Sequence, residues 1–450
     1  MLSIVKHFGA AGNGTTDDTE ALQHAFDAGE GVMQLSAGAY RITRPVVLDL
    51  TRRGPGGIRG DGGTARIIMA GPGPALHIIG GHKGTADPRS VTARTWSQER
   101  FPTVCSLEIV GEHDQAEGIR LQGTMQCVIS QVLVRRCRYG IRLVERNRNF
   151  ILADAHLYDN LEVGLFLDAV NLHQVNIIGN HISYNRTAGI LLRDGEVRNV
   201  QITGNDIEYN DDSPEGSADV WIETTGGTLR EMTISGNTIQ AVPAPNGANV
   251  RIIGAPAEKA DQSGLIAIAG NLIGSQTVNL DLRHTRGVSI TGNSLYSAAE
   301  LTLHARGCRN LVIGANTIDY NPGVEERMKD GLRFDDCSGC AISGLAVEDG
   351  GYGTDELGGA ITLVGCDAMA VSNCQIIDPA VRGIHLVKCR RCRITNNTIL
   401  DGRDPRRMQT AIELDSPAGR NLIQHNLIHA GKRGAILPAS VADAETNTVL

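Results

Sequence analysis

The sequence predicts an all-β fold, a right-handed parallel β-helix with a short N-terminal capping helix. Three observations point there. The motif apolar-x-apolar-x-Gly-Asn-x-Ile recurs along the chain, as in Val175-Asn176-Ile177-Ile178-Gly179-Asn180-His181-Ile182. A second motif, Gly-Ile-x-Leu, recurs between its copies, as in Gly118-Ile119-Arg120-Leu121 and Gly383-Ile384-His385-Leu386. The composition is rich in glycine (54 residues) and poor in aromatics (4%), which suits short strands joined by tight turns.

Residues 1–50 read as a cap with the first strands. Gly14-Thr15-Thr16-Asp17-Asp18-Thr19 offers capping oxygens and acidic residues for a helix start. Ala21-Leu22-Gln23-His24-Ala25-Phe26 then continues an amphipathic helix, expected over Asp17 to Asp27. Such a plug would cover apolar core and unpaired strand edges at the open end of a solenoid.

Residues 51–450 read as one continuous β-helix. Each motif alternates with period two, so each is a half-buried strand. Two or three such strands per coil, with no helices between them, stack coil on coil at about 4.8 Å. The Asn of the first motif recurs as Asn180, Asn205, Asn237, Asn271, Asn293, Asn316, Asn397 and Asn426, a predicted ladder of side-chain amides. Asn160, Asn185, Asn210 and Asn321 suggest a second column, and Tyr158, Tyr184, Tyr209 and Tyr320 a neighbouring one.

The opening Phe8-Gly9-Ala10-Ala11-Gly12-Asn13-Gly14-Thr15-Thr16-Asp17-Asp18-Thr19-Glu20-Ala21-Leu22-Gln23 resembles that of the pectate-lyase-like right-handed β-helix superfamily. That group includes polygalacturonases, epimerases and tailspikes. The later coils are also weakly similar to inulin fructotransferases. The resemblance implies the fold over nearly the whole chain, a ligand groove along the Gly-Ile-x-Leu strands, and a homotrimer. It does not choose the chemistry. The polygalacturonase signatures Asn-Thr-Asp and Arg-Ile-Lys are absent, and Gly80-Gly81-His82-Lys83 falls outside the coils, which argues against that activity.

The net charge of −8 gives no electrostatic footprint for nucleic acid. No apolar run is long enough to span a bilayer, and the N-terminus has no signal-like apolar stretch, so no membrane partner and a cytoplasmic location are expected. Ten cysteines include two CxxC pairs, Cys337/Cys340 and Cys389/Cys392. Cys308, Cys337, Cys366 and Cys389 each follow a groove strand, so stacked buried thiols explain them better than zinc does. No metal and no cofactor are expected.

Period-two alternation places two outward columns on the groove strands. Asp168, Arg193 and Glu223 are expected to stack on three successive coils, with Trp221 beside Glu223. Arg283, His304 and Asp335 are expected to stack further on, flanked by Arg251, Asp281 and Arg333. An aromatic ring beside carboxylates and guanidinium forks is what sugar rings require. The longer loops Asn210 to Ala218 and Ala241 to Ala248 precede these strands and are placed to wall the groove.

These residues predict a carbohydrate-active enzyme that cleaves or rearranges glycosidic bonds of an oligo- or polysaccharide. Glu223, Asp281 and Asp335 are its candidate catalytic carboxylates. Asp168, Arg193, Trp221, Arg251, Arg283, His304 and Arg333 are its candidate substrate-binding residues. Glycosidases hold two carboxyls about 5–5.5 Å or 6.5–9.5 Å apart. Asp168 and Glu223, two coils apart, would be separated by about 9.6 Å. Two other readings fit the same residues: a polysaccharide lyase or epimerase acting on uronates, for which the Arg-rich columns and His304 are suited, and a non-catalytic, tailspike-like glycan binder.

Overall fold

The computed structural model describes residues 2–255, 263–323, 329–415, 419–438, 440 and 446–450. The chain divides into two compact units, one of Met1–Ser213 with Ser217–Met232, the other of Pro214–Gly216 with Thr233–Leu450.

In the first unit the capping helix spans Thr19–Ala28 and buries Leu22, Ala25 and Phe26. Asp18 stands at its N-cap but does not cap it through its side chain. Its carboxylate instead accepts from the Ala11 and Gly12 amides at 2.6 and 2.9 Å, folding the Gly-rich opening back on itself. Asp17 takes over part of the capping role, accepting from the Thr19 amide at 3.0 Å. The remaining helical pieces are short, such as Leu50–Arg53 and the turn Thr95–Glu99. The Gly80 to Pro102 segment lies between the strands Gly73–Ile79 and Thr103–Gly111, and buries His82 and Glu99.

From there the unit is a stack of parallel strands. The Gly-Ile-x-Leu strand forms Ala116–Gln122, then part of Tyr139–Ala153 and Val163–Ile178, then Ala188–Arg193 and Ser217–Glu223. They pair in register, Ile119 with Ile141, then Leu165, Ile190 and Val220. These inward residues are all buried. Each coil adds further strands on its other faces, as His156–Tyr158, His181–Ser183 and Asp206–Glu208 do.

The second unit repeats the plan. One coil runs through Val278–Arg283, Arg286–Thr291 and Ser294–Tyr296; the next begins at Leu301–Arg306. Leu280, Leu282, Val288, Ile290 and Leu295 face the core. The groove strands continue as Leu332–Asp335, Ile361–Val364, Arg382–Val387 and Thr410–Leu414.

The amide ladder forms. In the second unit each side-chain Nδ2 donates to the next Oδ1 at 2.9 Å, from Asn237 through Asn271 and Asn293 to Asn316. Asn397, Asn426 and Asn447 resume it. Between them the column holds Leu345 and Cys374, as the Thr317–Ala346 and Ala346–Gln375 pairings require. Two adjacent coils lose the amide together, so no partner is stranded facing an apolar neighbour except at the ends, where Cys374 N–H still donates to Asn397. A second ladder runs through Asn160, Asn185 and Asn210 and ends on Asp219.

Two expected columns are corrected. Asn321 is exposed and accepts from the Gly323 amide in a local turn, so it joins no ladder. Tyr158 pairs with Ser183, one residue out of step with the tyrosine column; Tyr184 and Tyr209 do stack, ring centroids 5.4 Å apart. The cysteines of each CxxC pair separate. Cys308, Cys337, Cys366 and Cys389 line one corner, each thiol contacting a backbone carbonyl of the preceding groove strand at 3.3–3.6 Å. Cys340 and Cys392 lie in the core row of Leu311 and Met369, set by the adjoining Val312–Ala341–Ala370–Arg393 pairings.

Replacing one amide in the middle of the ladder removes an acceptor from one neighbour and a donor from the other. Asn293→Ala leaves the Asn271 N–H and Nδ2 groups without their acceptor. We expect a loss of about 3 kcal/mol or more, at roughly 1–3 kcal/mol per stranded buried group. Urea unfolding of the two proteins measures it.

Candidate functional site

The two sets of outward residues behave differently. In the first unit Asp168, Arg193 and Glu223 fall in register on successive coils, as expected. Asp168 is claimed by Arg142 of the previous coil, whose Nε donates to it at 2.9 Å. Arg193 is exposed, and among the described residues neither it nor Glu223 forms a side-chain ion pair. Trp221 follows Phe166 and Leu191 in register and packs against a buried cluster of Tyr139, Val163, Phe166, Ala188 and Leu191. Its ring therefore takes part in an apolar seam on the groove face.

The second unit builds a connected site. The register corrects the expected grouping of Arg283, His304 and Asp335. Asp281 pairs with His304 and then Arg333, whereas Arg283 pairs with Arg306 and then Asp335. His304 thus belongs to the row of Arg251, Asp281 and Arg333. Thr302, two residues before His304, is buried, and its hydroxyl donates to Asp330 at 3.0 Å.

Asp281 is the hub of this arrangement. Its carboxylate accepts from Arg251 Nε at 3.0 Å, from Arg283 Nε and Nη2 at 3.1 and 2.7 Å, and from Arg306 Nη2 at 2.6 Å. Only 3% of its side chain is exposed, and only 6% of that of Arg251. Burial alone would raise the Asp281 carboxyl, but Arg283 and Arg306 pull it down further, to about 2. Asp281 is thus ionised at neutral pH and holds three guanidiniums together.

Asp335 holds a second knot. It accepts from His304 Nε2 at 2.6 Å and from Arg333 Nε and Nη2 at 2.9–3.0 Å. Burial pushes its carboxyl up, and the bonds to His304 and Arg333 more than reverse that, holding it below the ordinary value. An ionised carboxylate can only accept, so the shared proton sits on His304 Nε2. That leaves Nδ1 as the basic atom of a neutral His304 ring. Arg333 Nη1 also reaches the Tyr352 hydroxyl at 3.1 Å.

These groups face a cleft of about 530 Å³, lined on one side by Pro243, Ala244, Pro245, Asn246 and Gly247 and floored by Arg251, Asp281, Arg283, His304 and Arg306. Glu300 also lines it. Among the described residues, the buried Nε of Arg306 has no hydrogen-bond partner. Three guanidiniums against one buried carboxylate make this floor locally cationic in an acidic protein.

Sequence reasoning missed Arg306, Tyr352 and Arg382. Arg306 was legible, since it stands two residues after His304 and repeats the outward position of Arg283. Tyr352 belongs to no coil and reaches Arg333 from the Gly350 to Gly359 connection.

The comparisons agree with the fold. The family described as "Right handed beta helix region" matches residues 277–449, and that described as "Periplasmic copper-binding protein (NosD)" matches residues 103–250. The chain is a right-handed parallel β-helix. Alginate lyase 7 of Azotobacter vinelandii is 26% identical over 205 residues, taking in 40% of this chain and 22% of that protein. The chain therefore spans about a fifth of the length of this curated relative. Two solved structures share the coil. The adhesin PfbA of Streptococcus pneumoniae does so with a TM-score of 0.51 and 13% identity, over 88% of this chain and 97% of that one. The Dettilon tailspike protein does so with a TM-score of 0.50 and 14% identity, over 94% and 69%.

Two outcomes follow from the electrostatics. Asp281→Asn removes the one anion between three guanidiniums and should destabilise the protein by about 3 kcal/mol, the range for breaking a buried ion pair. Thermal melting checks this. His385 is buried, and burial with nearby Arg382 lowers its imidazole to about 4. A histidine whose folded value is lowered favours the neutral form. Its contribution is intact above the unfolded value near 6.5 and is lost as pH falls from there towards 4. The melting temperature of His385→Gln should therefore fall less steeply than the parent's between pH 6.5 and 4.

Proposed function

We propose that the second unit binds an acidic glycan through this cleft and cleaves it by β-elimination, as a polysaccharide lyase acting on uronates. The observation that carries this reading is that Arg283, Arg306 and His304 line one cleft, with His304 bonded to Asp335 and Asp335 to Arg333. Guanidinium forks match planar carboxylates in geometry and charge. The partial identity to an alginate lyase supports the same substrate class. Glu223, Asp281 and Asp335 were read from sequence as reacting carboxylates of a glycosidase. The guanidiniums held by Asp281 and Asp335 favour anchoring roles for those two.

The chemistry follows from the geometry. A uronate carboxylate held by the arginines acidifies the proton on the adjacent C5 carbon. His304 Nδ1 takes that proton, while Asp335 stabilises the imidazolium that forms. Charge developing on the carboxylate is met by guanidinium donors already in place. The C4–oxygen bond then breaks, a C4–C5 double bond forms, and the departing oxygen takes a proton. The Tyr352 hydroxyl, which accepts from Arg333, keeps its own proton for that step.

The test is turnover of polyuronates followed by ultraviolet absorption of the unsaturated product. His304→Ala should lower turnover by a hundredfold or more, the scale of a lost general base of roughly 10²–10⁴. It should melt within about 1 kcal/mol of the parent, since His304 is partly exposed. Products without the double bond would show hydrolysis instead. Binding without turnover would mark a glycan-binding protein.

A further inference from the structure

The outward row of the second unit changes character along its length. His304 and Arg333 are half-exposed, but the next two residues of the row, Thr362 and His385, are 0% and 3% exposed. Outward residues on a groove strand become buried only when something lies over them. That cover is the connection Gly350 to Gly359. Thr362 Oγ1 donates to Gly359 O at 3.3 Å, and the Gly358 amide donates to His385 Nδ1 at 3.1 Å.

Three further bonds to the cover come from one side chain. Arg382 sits on the groove strand, 1% exposed, with Nε donating to Glu413 at 2.6 Å. Its Nη1 donates to the carbonyls of Thr354 and Gly358 at 2.8 and 3.1 Å, and its Nη2 to that of Asp355 at 2.5 Å. One guanidinium thus holds three carbonyls of the strap, a pattern that a point charge on a lysine cannot reproduce. The strap is folded tightly enough that glycine is required. Gly358 has φ +111°, and a Cβ there would meet the Gly353 Cα at 2.6 Å. Its leading end carries Tyr352, whose ring is seated over Gly331, where a Cβ would meet the Tyr352 Cβ at 2.6 Å.

We propose that this strap, pinned by Arg382, stops a glycan chain at Arg333 and so confines the site to chain ends and short oligosaccharides. The inference rests on the acidic-glycan reading and adds the class of substrate to it. A solenoid groove left open lets a polymer run past the reacting groups in both directions. Here the floor beyond Arg333 is filled by protein backbone, and Tyr352 stands at the boundary. Arg382 is a positioning residue. It contacts the strap, and the strap contacts the site.

The experiment uses the whole chain, the parent polyuronate, and two ladders of oligosaccharides of defined length, one of uronates and one of neutral sugars. For the parent protein, affinity should rise over the first few uronates and then stay flat, and the polymer's viscosity should fall slowly relative to the ends released. Arg382→Lys keeps the charge beside Glu413 but loses the fork. It should raise the ratio of interior to end cleavage by about tenfold, and cleavage of the strap by an added protease should report its release. The proposal is overturned if the parent's affinity keeps rising with chain length, or if Arg382→Lys frees the strap without changing the ratio. A plateau with neutral sugars alone would overturn the acidic-glycan reading and retain the stop. Binding to neither ladder would overturn both.

Discussion

Parallel stacking in register governs this molecule. Each coil lies about 4.8 Å from the next, so every side chain has the same repeat position of the neighbouring coil directly against it. Whatever occupies a position must tolerate a near copy of itself on either side. Amides satisfy that condition best, because one side chain carries both a donor and an acceptor. Asn271, Asn293 and Asn316 pass a hydrogen bond from coil to coil without interruption. Thiols and branched aliphatics satisfy it by size alone, as Cys337 and Cys366 do at their corner. Glycine serves where two backbones must nearly touch.

Charged residues do not satisfy the condition, and this makes the groove face of the second unit informative. Arg283 and Arg306 are register neighbours of like charge, an arrangement that repels unless a counter-ion lies between. Asp281, in the adjacent row, supplies it to both and to Arg251 as well. His304 and Arg333 are also register neighbours, and both donate to Asp335. Each carboxylate therefore does its work by being ionised. A glycosidase acid needs the opposite environment, one that holds a proton at neutral pH. The register that brings the arginines together is the same constraint that keeps the nearby aspartates ionised.

The coil was legible because its signal repeats. The Gly-Asn step marks one corner in coil after coil, and alternation around it orients each strand. The site was legible in content and not in register. Arg251, Asp281, Arg283, His304, Arg333 and Asp335 do come together, but His304 was placed one outward position too far along. A slip of two residues preserves the inward–outward pattern and so leaves no trace in hydropathy. Tyr158 and Asn321 failed for a related reason: a repeat read from residue type alone does not count the residues in each corner. Tyr352 and the carbonyls bound by Arg382 could not be read from periodicity at all. They lie in an irregular connection, and their position is decided by contacts with strands tens of residues away in sequence.

That division between coil and connection bears on where function resides. The coils are rigid and repetitive, and a groove built from them alone would be uniform along its length. Specificity has to come from what breaks the uniformity. In the second unit the breaks are the proline-bearing loop Pro243 to Gly247, which walls the cleft, and the strap Gly350 to Gly359, which covers the row beyond it. Both are held by arginines rooted in groove strands. Arg251 Nη2 donates to Asn246 O at 2.6 Å, much as Arg382 donates to Asp355 O. Each of these arginines is buried and bonded to a carboxylate of the next coil, Asp281 and Glu413 respectively. An irregular loop has few contacts of its own to fix it. A buried guanidinium, itself fixed by the in-register stack, lends the loop the order of the coil. The same guanidinium–carboxylate bond that settles charge along the stack thereby positions the loop that walls the cleft and the strap that covers the row beyond it.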